Sequence, residues 1–364
     1  MNNDKIHLTV ISDDGFMIPS IVMLTSAKLN KNKQSRYCVH FICNKVSKYF
    51  RKKLCELHSD DFEIVLYDAP KKDFGSVDIS IHVTESTFYK LEVPDILNNL
   101  DKVIHIDGDV LVHGDLSEFF HTELGGNTLG VVGDIITSKL GDVEKLGIPK
   151  AFNAGIMLMD LEKMRNDGDV TKLENMLMNI PDNWTWLEQD CLNVYYNGKT
   201  LFLPPKFNCT YMNIKMLGTP IEEVNEYYGT NYQTYNEMLD DAIILHMNGT
   251  PGKRPWQVTN GVHAHSWQHY FDQSPIKHLY LERPDVSLAS TPGKINSLEC
   301  ELEQVKLLLI YPILKKRYRQ AKIKSMFTLG KTRFKYKQKK QLLKIQVRRC
   351  RALLKEYIFN ALHK

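Results

Sequence analysis

Apolar and polar positions alternate along the first 280 residues in two rhythms. Short, β-branched apolar runs predict strands: IHLTVIS (6–12), YCVHFIC (37–43), FEIVLYD (62–68) and DKVIHID (101–107). Between them, segments with apolar residues three and four apart predict helices. These are MIPSIVMLTSAKLN (17–30), VSKYFRKKLCELH (46–58) with Ser47 as a cap, and TESTFYKLEVPDILNNL (84–100), interrupted near Pro94. Strands that alternate with helices predict βαβ units, so the class is α/β, with a mostly parallel sheet covered on both faces. Beyond residue 110 the rhythm loosens. NTLGVVGD (127–134), NAGIMLMDL (153–161) and AIILHM (242–247) read as further strands, LEQDCLNVYY (187–196) and SWQHYF (266–271) as helices, and NGTPGKRPW (248–256) as a Gly/Pro-rich loop. No internal repeat is present.

The pattern changes again at PDVSLASTPGK, a linker over 284–294 that divides a body (1–283) from a tail (295–364). SLECELEQVKLLLIYPIL (297–314) and QLLKIQVRRCRALLKEYIFNAL (341–362) are amphipathic. Residues 306–364 hold 19 Lys and Arg against the single acid Glu356, leaving 28 basic and 42 acidic residues in the first 305. The overall charge of +4 thus conceals an acidic body and a basic tail. Basic amphipathic helices suit an anionic membrane surface; a solvated or oligomerisation arm is the alternative. No nucleic-acid motif accompanies the charge, so no nucleic-acid partner is expected. The oligomeric state is left open.

With 43% hydrophobic and 25% charged residues, the chain has the composition of a globular protein that needs no disulfide or metal staple to fold. Its seven cysteines form no CxxC pair, which suits a reducing compartment. MNNDKIHLTV lacks the pattern of a signal peptide, and no run of 18 apolar residues occurs. The expectation is a cytoplasmic protein, peripheral on the inner face of a membrane.

Chemistry concentrates in IHIDGDVLVHGDL (104–116). Asp107 ends a strand, where parallel-sheet proteins bind ligands. Asp107 and Asp109 can turn toward one hard cation if Gly108 allows a tight path. An Asp-Gly turn without metal is the simpler alternative, but VIHI before and VLV after put these acids at the rim of a core. A second cluster, AIILHMNGTPGKRPW (242–256), ends a strand with His246 and continues into Gly249, Lys253 and Arg254. A His suits Mn²⁺, a glycine permits close backbone approach, and a cation neutralises phosphate. Together these are the complement of a metal–diphosphate. Asp115, in HGDLSEFF, reads as a helix N-cap.

The order strand–DxD–LV–x–x–DL, then FNAG, then QD before a helix, then H-x-x-G followed by K-x-PW, resembles the family 8 retaining glycosyltransferases over residues 6–272. By pattern it is most similar to bacterial galactosyl- and glucosyltransferases of lipopolysaccharide or lipooligosaccharide. The resemblance implies a GT-A fold, a UDP-hexose donor, and a saccharide or glycolipid acceptor. It implies Mn²⁺ or Mg²⁺ held by Asp107, Asp109 and His246. The stretch with Ile11, Ser12, Asp13 and Phe16 would cup the uridine, with Asp13 on the base and Phe16 against the ring. Lys90 stands where the family usually has Arg. Asp134, Asn153, Ala154 and Glu188 (often Asp in the family) would contact the donor sugar. Gly249 and Lys253 would meet the diphosphate, with Arg254 as the alternative cation. Gln189 would lie near the anomeric carbon, which suits front-side attack, and Asp190 is the carboxylate for a covalent route. Residues 205–240, with PKFNCTYMN and EYYGTNYQTY, would build the acceptor pocket. A sugar-nucleotide nucleotidyltransferase or a non-catalytic scaffold of the same fold are the alternatives. The first should show a Gly-rich loop in place of ISDDGFMIPS, and a dehydrogenase would need GxGxxG after the first strand.

Overall fold

Four β-branched segments at the start of the chain pair as the apolar pattern predicts. In a computed structural model, β1 (Lys5–Ser12), β2 (Arg36–Cys43), β3 (Phe62–Asp68) and β4 (Lys102–Ile106) lie side by side and parallel in the order β3-β2-β1-β4. β1 and β2 pair in register from Lys5↔Arg36 to Ser12↔Cys43. The residues described are 5–72, 85–139, 141–181, 184, 186–210, 214–215, 218–248, 254–259, 263–279 and 281. The linker and tail expected at 284–364 lie outside them.

The chain then adds β5 (Val110–Val112), β6 (Leu129–Gly133), β7 (Phe152–Asp160), β8 (Thr200–Phe202) and β9 (Ile244–His246). β7 inserts beside β4 and runs antiparallel to it, and β6 and β8 complete a seven-stranded sheet. The sheet is therefore mostly parallel with one reversed strand. β5 and β9 form a separate two-stranded antiparallel ladder.

The helix Met17–Asn30 has the bounds its spacing predicts. Ten of its fourteen residues are buried, so it is a central helix rather than a surface one. It packs with Leu8, Val10, Val39 and Phe41 in the main core. Its polar side chains serve the short β5: Ser26 Oγ accepts from Val112 N (2.9 Å) and Asn30 Nδ2 donates to Val112 O (2.8 Å). Helix and Asp107–Asp109 turn approach so closely that a Cβ on Gly108 would sit 2.3 Å from Ser20 Oγ. This is why the turn carries glycine.

Two expectations are refined. The segment expected as an interrupted helix is a 3₁₀ stretch, Glu85–Glu92, followed by one turn, Val93–Ile96, with Pro94 in its first turn where the missing N–H costs nothing. The residue at the cap position before the short helix Ser117–Phe120 is Leu116, not Asp115. Asp115 sits one residue earlier, accepts from Ser117 N (2.9 Å), and also takes bonds from Asn32 N (2.8 Å) and Tyr37 OH (3.1 Å). It ties the start of β2 to the chain after β5.

Candidate active site at the ends of β4 and β9

β4 ends at Ile106, and Asp107 N donates to Gly155 O (2.8 Å) on β7, which fixes the first acid at the strand end. The turn delivers Asp109 beside β5, where its carbonyl accepts from Met247 N (2.9 Å). Pairing of Val110 with His246 in the β5–β9 ladder brings the imidazole to the acids. One ligand atom each from Asp107, Asp109 and His246 lie within 4.8 Å of one another. Gly155 lines this cluster. A Cβ there would lie 2.5 Å from His246 Cε1 and 2.9 Å from Asp107 Oδ2.

Three polar groups fix the His246 nitrogen that donates. Asn153 Oδ1 accepts from Gly155 N (3.0 Å), so that atom is the amide oxygen. The Asn208 atom facing it at 3.1 Å is therefore the donor Nδ2. That leaves Asn208 Oδ1 to face His246 Nδ1 at 2.8 Å, so Nδ1 carries the proton and donates. His246 Nε2, the other ring nitrogen, lies 3.3 Å from Asp109 Oδ1. The two lie in a buried place, where Asp109 is only 7% and His246 4% exposed. An imidazole nitrogen with carboxylate oxygens suits Mn²⁺ or Mg²⁺ with water or phosphate completing the shell. The donor set, the imidazole held by a neighbouring amide and the side-chain-free cradle at Gly155 all fit a divalent ion.

Around Asp107 the charges are already partnered. Lys90 Nζ lies 3.0 Å from Oδ1 and 3.1 Å from Oδ2, and His105 Nε2 lies 3.1 Å from Oδ1. Burial alone would raise the Asp107 carboxyl. The Lys90 ammonium and His105 outweigh it and hold the group well below the usual carboxylate range. Burial depresses His105, while Asp107 and Glu188 outweigh burial at Lys90 and keep it charged. Lys90 also donates to Ala154 O (3.4 Å) and lies 3.9 Å from Glu188 Oε1. Burial pushes the Glu188 carboxyl up to about 7 against the pull of Lys90. Its Oε2 has no hydrogen-bond partner among the described residues.

Glu188, Gln189 and Asp190 open the helix Glu188–Tyr195. Leu187 before it has φ +45°, a strained conformation for a side chain with a Cβ, at a point where the chain turns into the site. Gln189 Oε1 accepts from Ala154 N (3.0 Å) and from Asn153 Nδ2 (3.4 Å), so the amide bridges to the NAG segment of β7. Asp190 is buried and accepts from Trp186 N (2.7 Å), holding the start of its own helix. Asp134 accepts from Ile136 N, Thr137 N and the Thr137 hydroxyl at 2.8–3.2 Å, and burial raises its carboxyl.

The end of β1 faces the same acids. Ser12 is buried and Ile11 half-buried. Asp13 accepts from Gly15 N (3.0 Å) and the Ser86 hydroxyl (2.9 Å), forming a tight turn that presents Phe16. Phe16 meets Trp256 edge-on at 5.6 Å. The Arg254 guanidinium lies 5.6 Å from the Phe16 ring, 5.4 Å from the Trp256 ring and 3.9 Å from Asp109 Oδ2. Gly249 and Lys253 lie outside the described residues.

Thus Asp107, Asp109, His246, Lys90, Glu188, Gln189, Asn153 and Ala154 converge. Asp134 is engaged with the helix that follows it. Sequence reasoning did not single out His105, Asn208 or Gly155. His105 stands two residues before Asp107 on a strand, the spacing of a shared face. Gly155 lies in the FNAG motif, whereas nothing local to Asn208 marks it as a neighbour of His246.

A family model described as glycosyl transferase family 8 matches residues 7–260. The lipopolysaccharide 1,2-glucosyltransferase of Escherichia coli (strain K12) is 26% identical over 257 residues, 68% of this chain and 70% of that protein. General stress protein A of Bacillus subtilis (strain 168) is 24% identical over 295 residues, 79% of this chain and all of that protein. Among solved structures, the galactosyltransferase LgtC in complex with donor and acceptor sugar analogs is similar in fold. It has a TM-score of 0.64 at 21% identity and covers 76% of this chain and 98% of that one. The fold is that of the GT-A glycosyltransferases.

Proposed function

The chain belongs to glycosyl transferase family 8, and we propose on that premise that it moves a hexose, glucose or galactose, from UDP to a saccharide or glycolipid hydroxyl with retention of configuration. The observation that carries this reading is the gathering of ligand atoms from Asp107, Asp109 and His246 within 4.8 Å of one another, with His246 Nδ1 held by Asn208. Asp107, Asp109 and His246 would hold Mn²⁺ or Mg²⁺, which supplies positive charge to the departing diphosphate.

The remaining roles fall to the chain's own groups. Lys90 fixes the orientation of Asp107 and keeps it ionised. It cannot make the bidentate fork of an arginine. Arg254, beside the Phe16 and Trp256 rings, stands ready to neutralise phosphate charge on the nucleotide side, with Lys253 as the alternative. Ile11, Ser12, Asp13 and Phe16 receive the uridine. Asp134, Asn153, Ala154 and Glu188 address the donor sugar. Gln189, its oxygen held by Ala154 N, positions the sugar for front-side attack, and the departing phosphate oxygen accepts the acceptor proton. The engagement of Asp190 with Trp186 N supports this route over a covalent one through Asp190.

The names of the relatives, with lipopolysaccharide glucosyltransferases among them, support an acceptor in cell-surface glycan synthesis. The basic tail would hold the enzyme peripherally on an anionic inner membrane surface. Among the described residues no helix is long and apolar enough to cross a membrane.

A panel of UDP-sugars assayed in Mn²⁺ for released UDP tests the reading. Turnover of UDP-glucose or UDP-galactose is expected. A folded enzyme inert toward every UDP-sugar would overturn it.

A further inference from the structure

A second cluster of metal-type donors lies on the other face of the sheet. Strands covered on both faces are usually apolar on both. One face of β1 and β2 obeys this, with Leu8, Val10, Val39 and Phe41 in the core. The other face carries His7 and Thr9 on β1, Cys38 and His40 on β2, and Glu63 and Tyr67 on β3, brought together by the registers His7↔Cys38, Cys38↔Glu63 and Thr9↔His40. One donor atom each from His7, Cys38 and His40 lie within 4.8 Å of one another, with Cys38 and His40 only 4% exposed.

We propose that His7, Cys38 and His40 form a second metal site, for a thiophilic divalent ion of the Zn²⁺ type, with water in the fourth position. Two imidazoles and a thiolate with a water are a tetrahedral zinc donor set, unlike the oxygen-rich set at Asp107 and Asp109. His7 Nδ1 and His40 Nε2 face each other at 3.0 Å, and the far nitrogen of His40 is held by the Tyr67 hydroxyl at 3.0 Å. A ligating histidine needs such an outer partner on its second nitrogen. Burial depresses both imidazoles, His40 to about 4. Burial, then Glu63, push the Cys38 thiol up to about 12. Glu63 also pairs with Lys5 Nζ at 2.7 Å.

On binding, Cys38 releases its proton to solvent and the S–metal bond forms. The proton shared in the His7 Nδ1···His40 Nε2 contact moves to the outer nitrogen of the ring that bears it, His7 Nε2 or His40 Nδ1, so that both facing nitrogens ligate. One proton leaves per ion bound, and no electron moves. His7 is five residues before Ser12, which places the cluster about 16 Å along β1 from its carboxyl end and the catalytic site. The ion would clamp β1 and β2 together and would not meet the substrate.

The test uses the full chain carrying Asp109→Asn, which disables the first site, and titrates it with Co²⁺. One equivalent should produce the near-ultraviolet charge-transfer band of a thiolate–cobalt bond, and one equivalent of Zn²⁺ should remove it. Cys38→Ala should abolish the band, and His7→Phe should weaken Zn²⁺ binding roughly 100-fold. In the chain with Asp109 intact, Cys38→Ala should leave Mn²⁺-supported UDP release within about twofold, which shows that the variant folds; if it does not fold, Cys38→Ser replaces it. A folded chain with no thiolate–cobalt band, or a band that survives loss of the Cys38 thiol, would overturn the proposal.

Discussion

Asn208 decides which nitrogen of His246 faces Asp109, although it touches neither acid in the donor set. Replacing it with Leu lets the ring rotate or change tautomer. Mn²⁺ binding measured by calorimetry should weaken about 10- to 100-fold, whereas Asn208→Asp, which keeps the acceptor for Nδ1–H, should retain most of the affinity. Asp109→Asn removes a carboxylate that the first site needs and whose described side-chain neighbours are His246 at 3.3 Å and Arg254 at 3.9 Å, while its backbone carbonyl keeps its bond from Met247 N. It should cut turnover at least about 100-fold with the thermal melt nearly unchanged. Glu188 carries a pH signature. Its folded carboxyl is raised to about 7 from an ordinary 4.5, so the folded state holds the proton more tightly than the unfolded chain. That contribution is fully present below pH 4.5 and is lost as pH rises through 7. Glu188→Gln should therefore gain stability relative to wild type between pH 5 and pH 8, by about 1–3 kcal/mol in urea unfolding. At this scale the paired acids and His246 were legible because their residue types announce metal and phosphate chemistry. Asn208 was not, because an Asn in a loop is ordinary until a partner 38 residues away is placed beside it.

Two short strands make the site. β5 and β9 hold three residues each, yet their ladder alone brings His246 across 137 residues of chain to Asp109. Local periodicity cannot reveal such a pairing, since three apolar residues fit a strand or a helix equally well. The direction of β7 was illegible for a related reason. Its apolar run marks a buried strand, but whether it runs with or against β4 depends on the path of the chain between them. By contrast, the helix Met17–Asn30 and β3 have the bounds their sequence predicts, because each carries a long unambiguous rhythm ended by polar residues. The meeting of β4, β7 and β9 leaves no room for a side chain at Gly155. Gly155→Ala forces a carbon to within 2.5 Å of His246, and should cost about 1–3 kcal/mol of stability and most of the Mn²⁺ affinity together. A variant that is less stable yet binds Mn²⁺ normally would show that the crowding is relieved away from the cluster.

The whole chain divides its charge between an acidic body and a tail with 19 basic residues against one acid over 306–364. An acidic body repels an anionic surface, so attachment must come from the tail if it occurs. Deleting 306–364 should release the protein from anionic liposomes in sedimentation assays while UDP-sugar turnover on a soluble acceptor persists. Undiminished liposome binding would assign the tail another purpose. The sheet, the central helix and the chemistry at the strand ends bear on one proposal: Asp107, Asp109 and His246, which could hold a divalent ion, would hold the one on which departure of UDP depends. The most direct test is UDP release from the preferred UDP-sugar by the full chain in Mn²⁺, in excess EDTA, and after Mn²⁺ is restored. The account predicts turnover in Mn²⁺, its loss in EDTA and its return on restoration. Full turnover in excess EDTA would contradict it.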